Sequence, residues 1–254
     1  MSFFNNKPRP AQVPARPAGL PGSGTHPANA PRPAHSVAVA KAGASSAAPA
    51  AEPKSGRQSN GLKEFLWQLQ GIGHGHLLDM GSARQTTITF FIERGFKVYT
   101  EDLLPTWQRF LEEDEQQAKK LAADADRSEM SPKRRAERFL ESSMAYKNDT
   151  FDAVLMWDIL DYLDTELMNR LAARIASLVR DGGVVFAMFH ARKPTVFHRY
   201  RVMDGHNLEL IPATCPFQPQ RVFQNREISN LFSRYRSSKM FVGRDQLREG
   251  LFVK

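Results

Sequence analysis

Cysteine is almost missing from this chain. Cys215 stands alone in 254 residues, which excludes an intramolecular disulfide and any zinc site built on several thiolates, and fits a reducing compartment such as the cytoplasm. Long apolar runs are missing too: none approaches the ~18–20 residues needed to cross a bilayer. The opening Met-Ser-Phe-Phe-Asn-Asn-Lys lacks the apolar stretch of a secretory signal. Acids are nearly missing from the first quarter, where Glu52 faces seven basic residues, so six of the eight net positive charges lie in residues 1–60. Aromatics are missing there as well, apart from Phe3 and Phe4, while 10 of the 16 prolines and 14 alanines crowd in. Such a segment buries too little apolar surface to offset the entropy of ordering it. Residues 1–59 are therefore expected to form a disordered tail. A transit peptide is the rival reading, and the prolines work against the amphipathic helix it requires.

Residues 60–254 contain nearly all the aromatic and β-branched side chains, and at about 190 residues suit one domain. Asn60 is placed to cap a helix over 62–69. A strand over 76–80, a helix over 86–93 and a strand over 96–100 follow, with Gly81 and Gly95 as punctuation. That order is a right-handed βαβ unit with parallel strands. Residues 105–123 read as a solvated helix and 138–141 as a third strand. Strands over 153–157 and 184–189 then flank a helix over 165–179. These strands are apolar without alternation, as expected when helices cover both faces of a parallel sheet. Near the C-terminus, runs at 239–242 and 251–253 lie too close in sequence to be parallel neighbours. The expected fold is α/β, a doubly wound and mostly parallel sheet with an antiparallel C-terminal strand.

Ligands of such sheets bind beyond the carboxyl ends of the strands, where strand order reverses. The first strand ends in Asp79-Met80-Gly81-Ser82-Ala83-Arg84. Gly81 permits a sharp turn through positive φ, and Ser82 and Ala83 are small enough for a ligand to approach the main chain. Asp102 lies 23 residues beyond Asp79, a spacing at which an acid grips ribose hydroxyls. A pyrophosphate wants bare N–H groups and no carboxylate beside it. Adenosylmethionine carries an ammonium and a sulfonium, which Asp79 favours. The full G-x-G-x-x-G is also missing, with Ala83 and Thr86 in its later places.

Four segments in order, Leu77 to Gly81, Val98 to Leu103, Asn148 to Leu155 and Leu178 to Gly183, resemble the motifs of the Rossmann-like (class I) S-adenosylmethionine-dependent methyltransferases. The resemblance covers roughly residues 62–254 and implies a seven-stranded sheet. It implies that Asp79 and Gly81 line the methionine end of the cofactor, with Ser82 and Ala83 in the loop. It further implies that Asp102 binds the ribose, with Glu101 as its substitute and Leu103 beside it, that Glu141 or Ser142 lies near the adenine, and that Trp157 and Asp158 border the transfer pocket. The chain departs from the family in a degenerate glycine loop, where Ala83 and Gln85 replace two glycines and Gln85 narrows the room.

Methyl transfer needs a general base only for a weakly acidic nucleophile. Tyr162 and His190 are the candidates, each with a structural alternative as a pocket wall. Arginines between 192 and 226, with Arg192, Arg199 and Arg201 foremost, fall where the family inserts substrate-facing structure at about 191–225; a solvated basic hairpin is the plainer reading. No metal site, membrane contact or specific nucleic-acid partner is expected. The sequence thus points to methyl transfer from S-adenosyl-L-methionine to an unidentified acceptor. A non-catalytic binding or scaffold protein of the same fold is the alternative.

Overall fold

The computed structural model describes residues 56–120, 128–243 and 245–254. Its main sheet has six strands in the order β3-β2-β4-β5-β9-β8. These are β2 (Gly75–Asp79), β3 (Phe96–Thr100), β4 (Phe151–Trp157), β5 (Val179–His190), β8 (Ser237–Val242) and β9 (Leu247–Val253). The first four run parallel, β9 is antiparallel to β5, and β8 is antiparallel to β9. The chain steps from β2 out to β3 and returns to lay β4 on the other side of β2, so strand order reverses at β2.

Every residue of β4 is buried, because both faces of the sheet are covered. Val154 and Met156 point into a layer with Trp107 of α3 (Leu103–Lys120), Phe139 of α4 (Pro132–Ser143) and Leu171 and Ile175 of α5 (Thr165–Leu178). Ala153 and Leu155 point the other way, towards Leu62 and Phe65 of α1 (Asn60–Gln68) and Phe90 and Phe91 of α2 (Gln85–Ile92). This alternation is the period of two expected of a strand. A short helix, α6 (Asn225–Leu231), buries Ile228 on the α3–α5 side.

Two expectations are corrected. Residues 138–141 are helical, so among the described residues the main sheet has six strands instead of seven. Ser131 accepts from the Arg134 amide, Pro132 opens the helix, and Ala136, Phe139 and Leu140 recur at the spacing of one helix face. The helix cap near residue 60 is Ser59, whose hydroxyl accepts from the Leu62 amide at 2.9 Å, and Asn60 is already helical.

A second, antiparallel sheet has the order β1-β7-β6, from β1 (Gly56–Gln58), β6 (Phe197–Val202) and β7 (Asn207–Ala213). Ordered structure therefore begins at least as early as Gly56, four residues before the expected boundary. The remainder of the predicted tail, residues 1–55, lies outside the described residues. Arg57 in β1 pairs with Glu249 of β9 and with Asp245, and Glu249 also accepts from the Gly61 amide at 2.6 Å. The small sheet is thereby fastened to the large one. No helix among the described residues is long and apolar enough to cross a membrane.

Candidate active site at the strand ends

Asp79 closes β2 and is buried. Its Oδ1 accepts from the Trp157 indole at 2.7 Å and from the Gly81 amide at 3.0 Å. Burial lifts its carboxyl to about 6, those two donors hold it from rising further, and Asp102 nearby adds a small upward push. Gly81 does not take the positive φ expected of it, which among the described glycines is kept by Gly71, Gly95 and Gly182. Its need is space: a Cβ there would meet the Trp157 ring at 2.8 Å. Ser82 borders the same site with its hydroxyl buried and unpartnered, while Ala83 is exposed.

Trp157 ends β4 with φ of 51°, where the β4–β5 register shifts. A tryptophan in the left-handed region is rare. The conformation turns the indole over Gly81, towards Asp79. Asp158, next in the chain, is 1% exposed; its Oδ2 accepts from the Tyr200 hydroxyl at 3.0 Å and lies 3.7 Å from His190 Nε2. Burial raises the Asp158 carboxyl to about 7, against the pull of His190. His190, the last residue of β5, places Nδ1 2.8 Å from Asp161 Oδ2, and the same oxygen accepts its main-chain amide at 2.8 Å. Burial alone would lower the imidazole, but the Asp161 hydrogen bond and the Asp158 charge outweigh it and hold the ring above its usual value. Tyr162, the other candidate base, has a buried hydroxyl without a partner, and burial with nearby Asp158 pushes it up. A phenol held up in this way is a poor base.

At the end of β3, Glu101 accepts from the Tyr146 hydroxyl at 2.5 Å, and Asp102 pairs with Arg199 Nη1 at 2.8 Å. Leu103 turns into the core, and it is Leu104 that borders the cavity. Glu141 and Ser142 are not at a strand end. They lie exposed on α4, where the Ser142 hydroxyl donates to the Phe139 carbonyl, and neither borders the cavity. Of the three arginines only Arg199 reaches the site. Arg201 pairs with Glu209 across the β6–β7 hairpin, and Arg192 is exposed in the loop after β5.

The structure thus brings Gly81, Ser82, Asp102, Trp157 and Asp158 around one cavity, with Asp79 behind its wall on the Gly81 amide and the Trp157 indole. The free space among them is about 20 Å³, enough for one water molecule and far below the ~300–1,000 Å³ of ligand pockets. Tyr200 closes it, its ring stacked on Trp157 at 5.2 Å and 8° between planes. Sequence reasoning missed Tyr200, and also Thr87, whose buried hydroxyl accepts from the Val202 amide at 3.0 Å. Both act through a hairpin more than forty residues from its partners, and no local spacing announces that. Asp161 carried a signal, two acids in the segment 161–164, but fitted an acid-rich helix start equally well. Among the described residues no three His, Cys, Asp or Glu side chains group as a metal site.

No family model and no curated protein matches this chain. Solved structures that resemble it include the 1,6-didemethyltoxoflavin-N1-methyltransferase of Burkholderia thailandensis, bound to 1,6-didemethyltoxoflavin and S-adenosylhomocysteine; it is 17% identical, with 77% of this chain and 78% of that one covered and a TM-score of 0.41. The glycopeptide N-methyltransferase MtfA, complexed with S-adenosylmethionine, is 15% identical over 76% and 93% with a TM-score of 0.37. An S-adenosylmethionine-dependent methyltransferase from Clostridium acetobutylicum is 13% identical over 76% and 90% with a TM-score of 0.40.

Proposed function

We propose that this chain is an S-adenosylmethionine-dependent methyltransferase acting on an unidentified nucleophile. The observation that carries the reading is the pair of carboxylates at the reversal point of the sheet, Asp79 at the end of β2 and Asp102 just past β3, with Gly81, whose amide bonds Asp79, bordering the same cavity as Asp102. Asp79 suits the cationic amino-acid end of the cofactor, and Asp102 suits a ribose diol. The donor set fits the cofactor; the room, in this conformation, does not.

Calorimetry of the full chain with S-adenosylhomocysteine tests the reading. Wild type is expected to bind, and Asp79→Ala to bind at least about tenfold more weakly, the loss of a charge-assisted contact to an ammonium. Transfer of a labelled methyl group into a cell extract then tests turnover. The filled cavity favours the second reading, a protein that keeps the fold without the chemistry. Absence of heat at millimolar ligand, in wild type and in the Arg199 variants described below, would establish it in place of the first.

A further inference from the structure

What fills the strand-end site is this chain's own β6. Four successive residues of that strand border the cavity, Phe197, His198, Arg199 and Tyr200. The Arg199 guanidinium holds Asp102 at 2.8 Å, and the Tyr200 ring covers Trp157 while its hydroxyl donates to Asp158 at 3.0 Å. The guanidinium occupies Oδ2, one of the two Asp102 oxygens that a ribose diol would use, and so competes with it, while a ring stacked on the wall of the cavity excludes any other flat group from that face. We propose that β6 is a built-in competitor for the cofactor, an autoinhibitory strap that must withdraw from the strand ends before ligand enters. The inference rests on the proposed function, since it names the regulation of that same site.

The connections of β6 suit such a movement. Among the described residues β6 is an edge strand whose one strand partner is β7, and its remaining main-chain tie is the Val202 amide on the Thr87 hydroxyl of α2. It enters through the irregular segment 191–196, and β7 leaves through the irregular segment 214–224. The other edge of the small sheet stays fastened through the β1–β7 pairing and through Arg57 on Glu249, so withdrawal of β6 would break the Val202–Thr87 bond and unpack Tyr200 and Val202 while its sheet remains attached. The Arg199–Asp102 pair is part-exposed, with 18% and 36% of the two side chains accessible. Pairs of that kind are weak and screened by salt, which makes the latch one that a ligand can break.

The test is calorimetry of the full chain with S-adenosylhomocysteine, in wild type, Arg199→Gln and Arg199→Gln/Tyr200→Phe, with Lys239→Gln as an equal loss of charge away from the site. A competitor removed makes the ligand bind more tightly: about threefold for the single variant and about tenfold for the double, with Lys239→Gln unchanged. Raising salt from 50 to 500 mM should tighten binding to wild type and leave Arg199→Gln flat. Hydrogen exchange gives an independent readout. Bound ligand should slow exchange at residues 79–84 and speed it across 197–202. Equal or weaker binding in Arg199→Gln, with exchange in β6 unchanged or slowed, would overturn the strap while leaving the cofactor reading intact. No binding in any variant would overturn both.

Discussion

Asp79 ties the site to the stability of the fold. Its folded value of about 6 lies above the ordinary 3.8, so between those limits the native state binds more protons than the unfolded chain. The stabilisation from its protonated form is complete below about pH 4 and is lost as pH rises through about 6, on the order of 3 kcal/mol in all. Asp158, raised to about 7, acts in the same direction. Thermal unfolding from pH 5 to pH 8 should therefore show a falling midpoint, and Asp79→Asn, which keeps an acceptor for the Trp157 indole but has no charge to gain, should flatten the lower part of that slope. An unchanged slope would show that Asp79 does not titrate in this window. Asp79 and Asp102 were legible in the sequence because Asp79 closes one strand and Asp102 stands two residues past the next. Their partners were not, since Trp157 reaches Asp79 across 78 positions and Arg199 reaches Asp102 across 97.

Elements were legible where one local period ruled. The strand runs ending at Trp157 and His190 are buried on both faces, the shorter runs ending at Asp79 and Thr100 carry β-branched, aromatic or leucine side chains, and turn residues stop several of them. Residues 138–141 failed that criterion because Arg-Phe-Leu-Glu fits a strand and a helix equally in isolation. Only the longer window from Ser131 to Ser143, with Asp114 of α3 bound by both Arg135 and Arg138, decides for the helix. The consequence for function is direct. Glu141 and Ser142, expected beside the adenine, lie on the outer face of α4, and substituting both with alanine should leave the affinity for S-adenosylhomocysteine within about twofold, since exposed positions without partners in the site shift free energies by under ~0.5 kcal/mol. A tenfold loss by calorimetry would return residues 138–141 to the strand ends. The small sheet was illegible for a different reason: β1 pairs with β7 about 150 residues later, and three residues carry no period of their own.

At the scale of the whole molecule, the net charge of +8 divides at the point where the described structure begins. Residues 1–55 hold six bases and one acid, leaving the remainder nearly balanced. A truncation that removes residues 1–55 should leave the unfolding midpoint unchanged and abolish any weak, salt-sensitive attraction of the chain to DNA. Removing four more residues is a different experiment. Gly56 to Ser59 contain the β1 pairing with β7, the Ser59 cap on α1, the 2.8 Å bond from the Ser59 amide to the His206 carbonyl, and Arg57. Without Arg57, Glu249 at 2% exposure keeps the Gly61 amide and loses its counter-charge. Uncompensated buried charge costs about 3–5 kcal/mol and a lost cap about 1 kcal/mol, which for a domain of this size lowers the midpoint by roughly 10 °C or more. The small sheet would also lose its fastening, so the longer truncation should release β6 and, in whatever protein stays folded at 15 °C, bind S-adenosylhomocysteine at least as tightly as Arg199→Gln. Equal midpoints for the two truncations, by differential scanning calorimetry, would place the start of the domain at residue 60 and remove β1 and Arg57 from the account of how the strap is held.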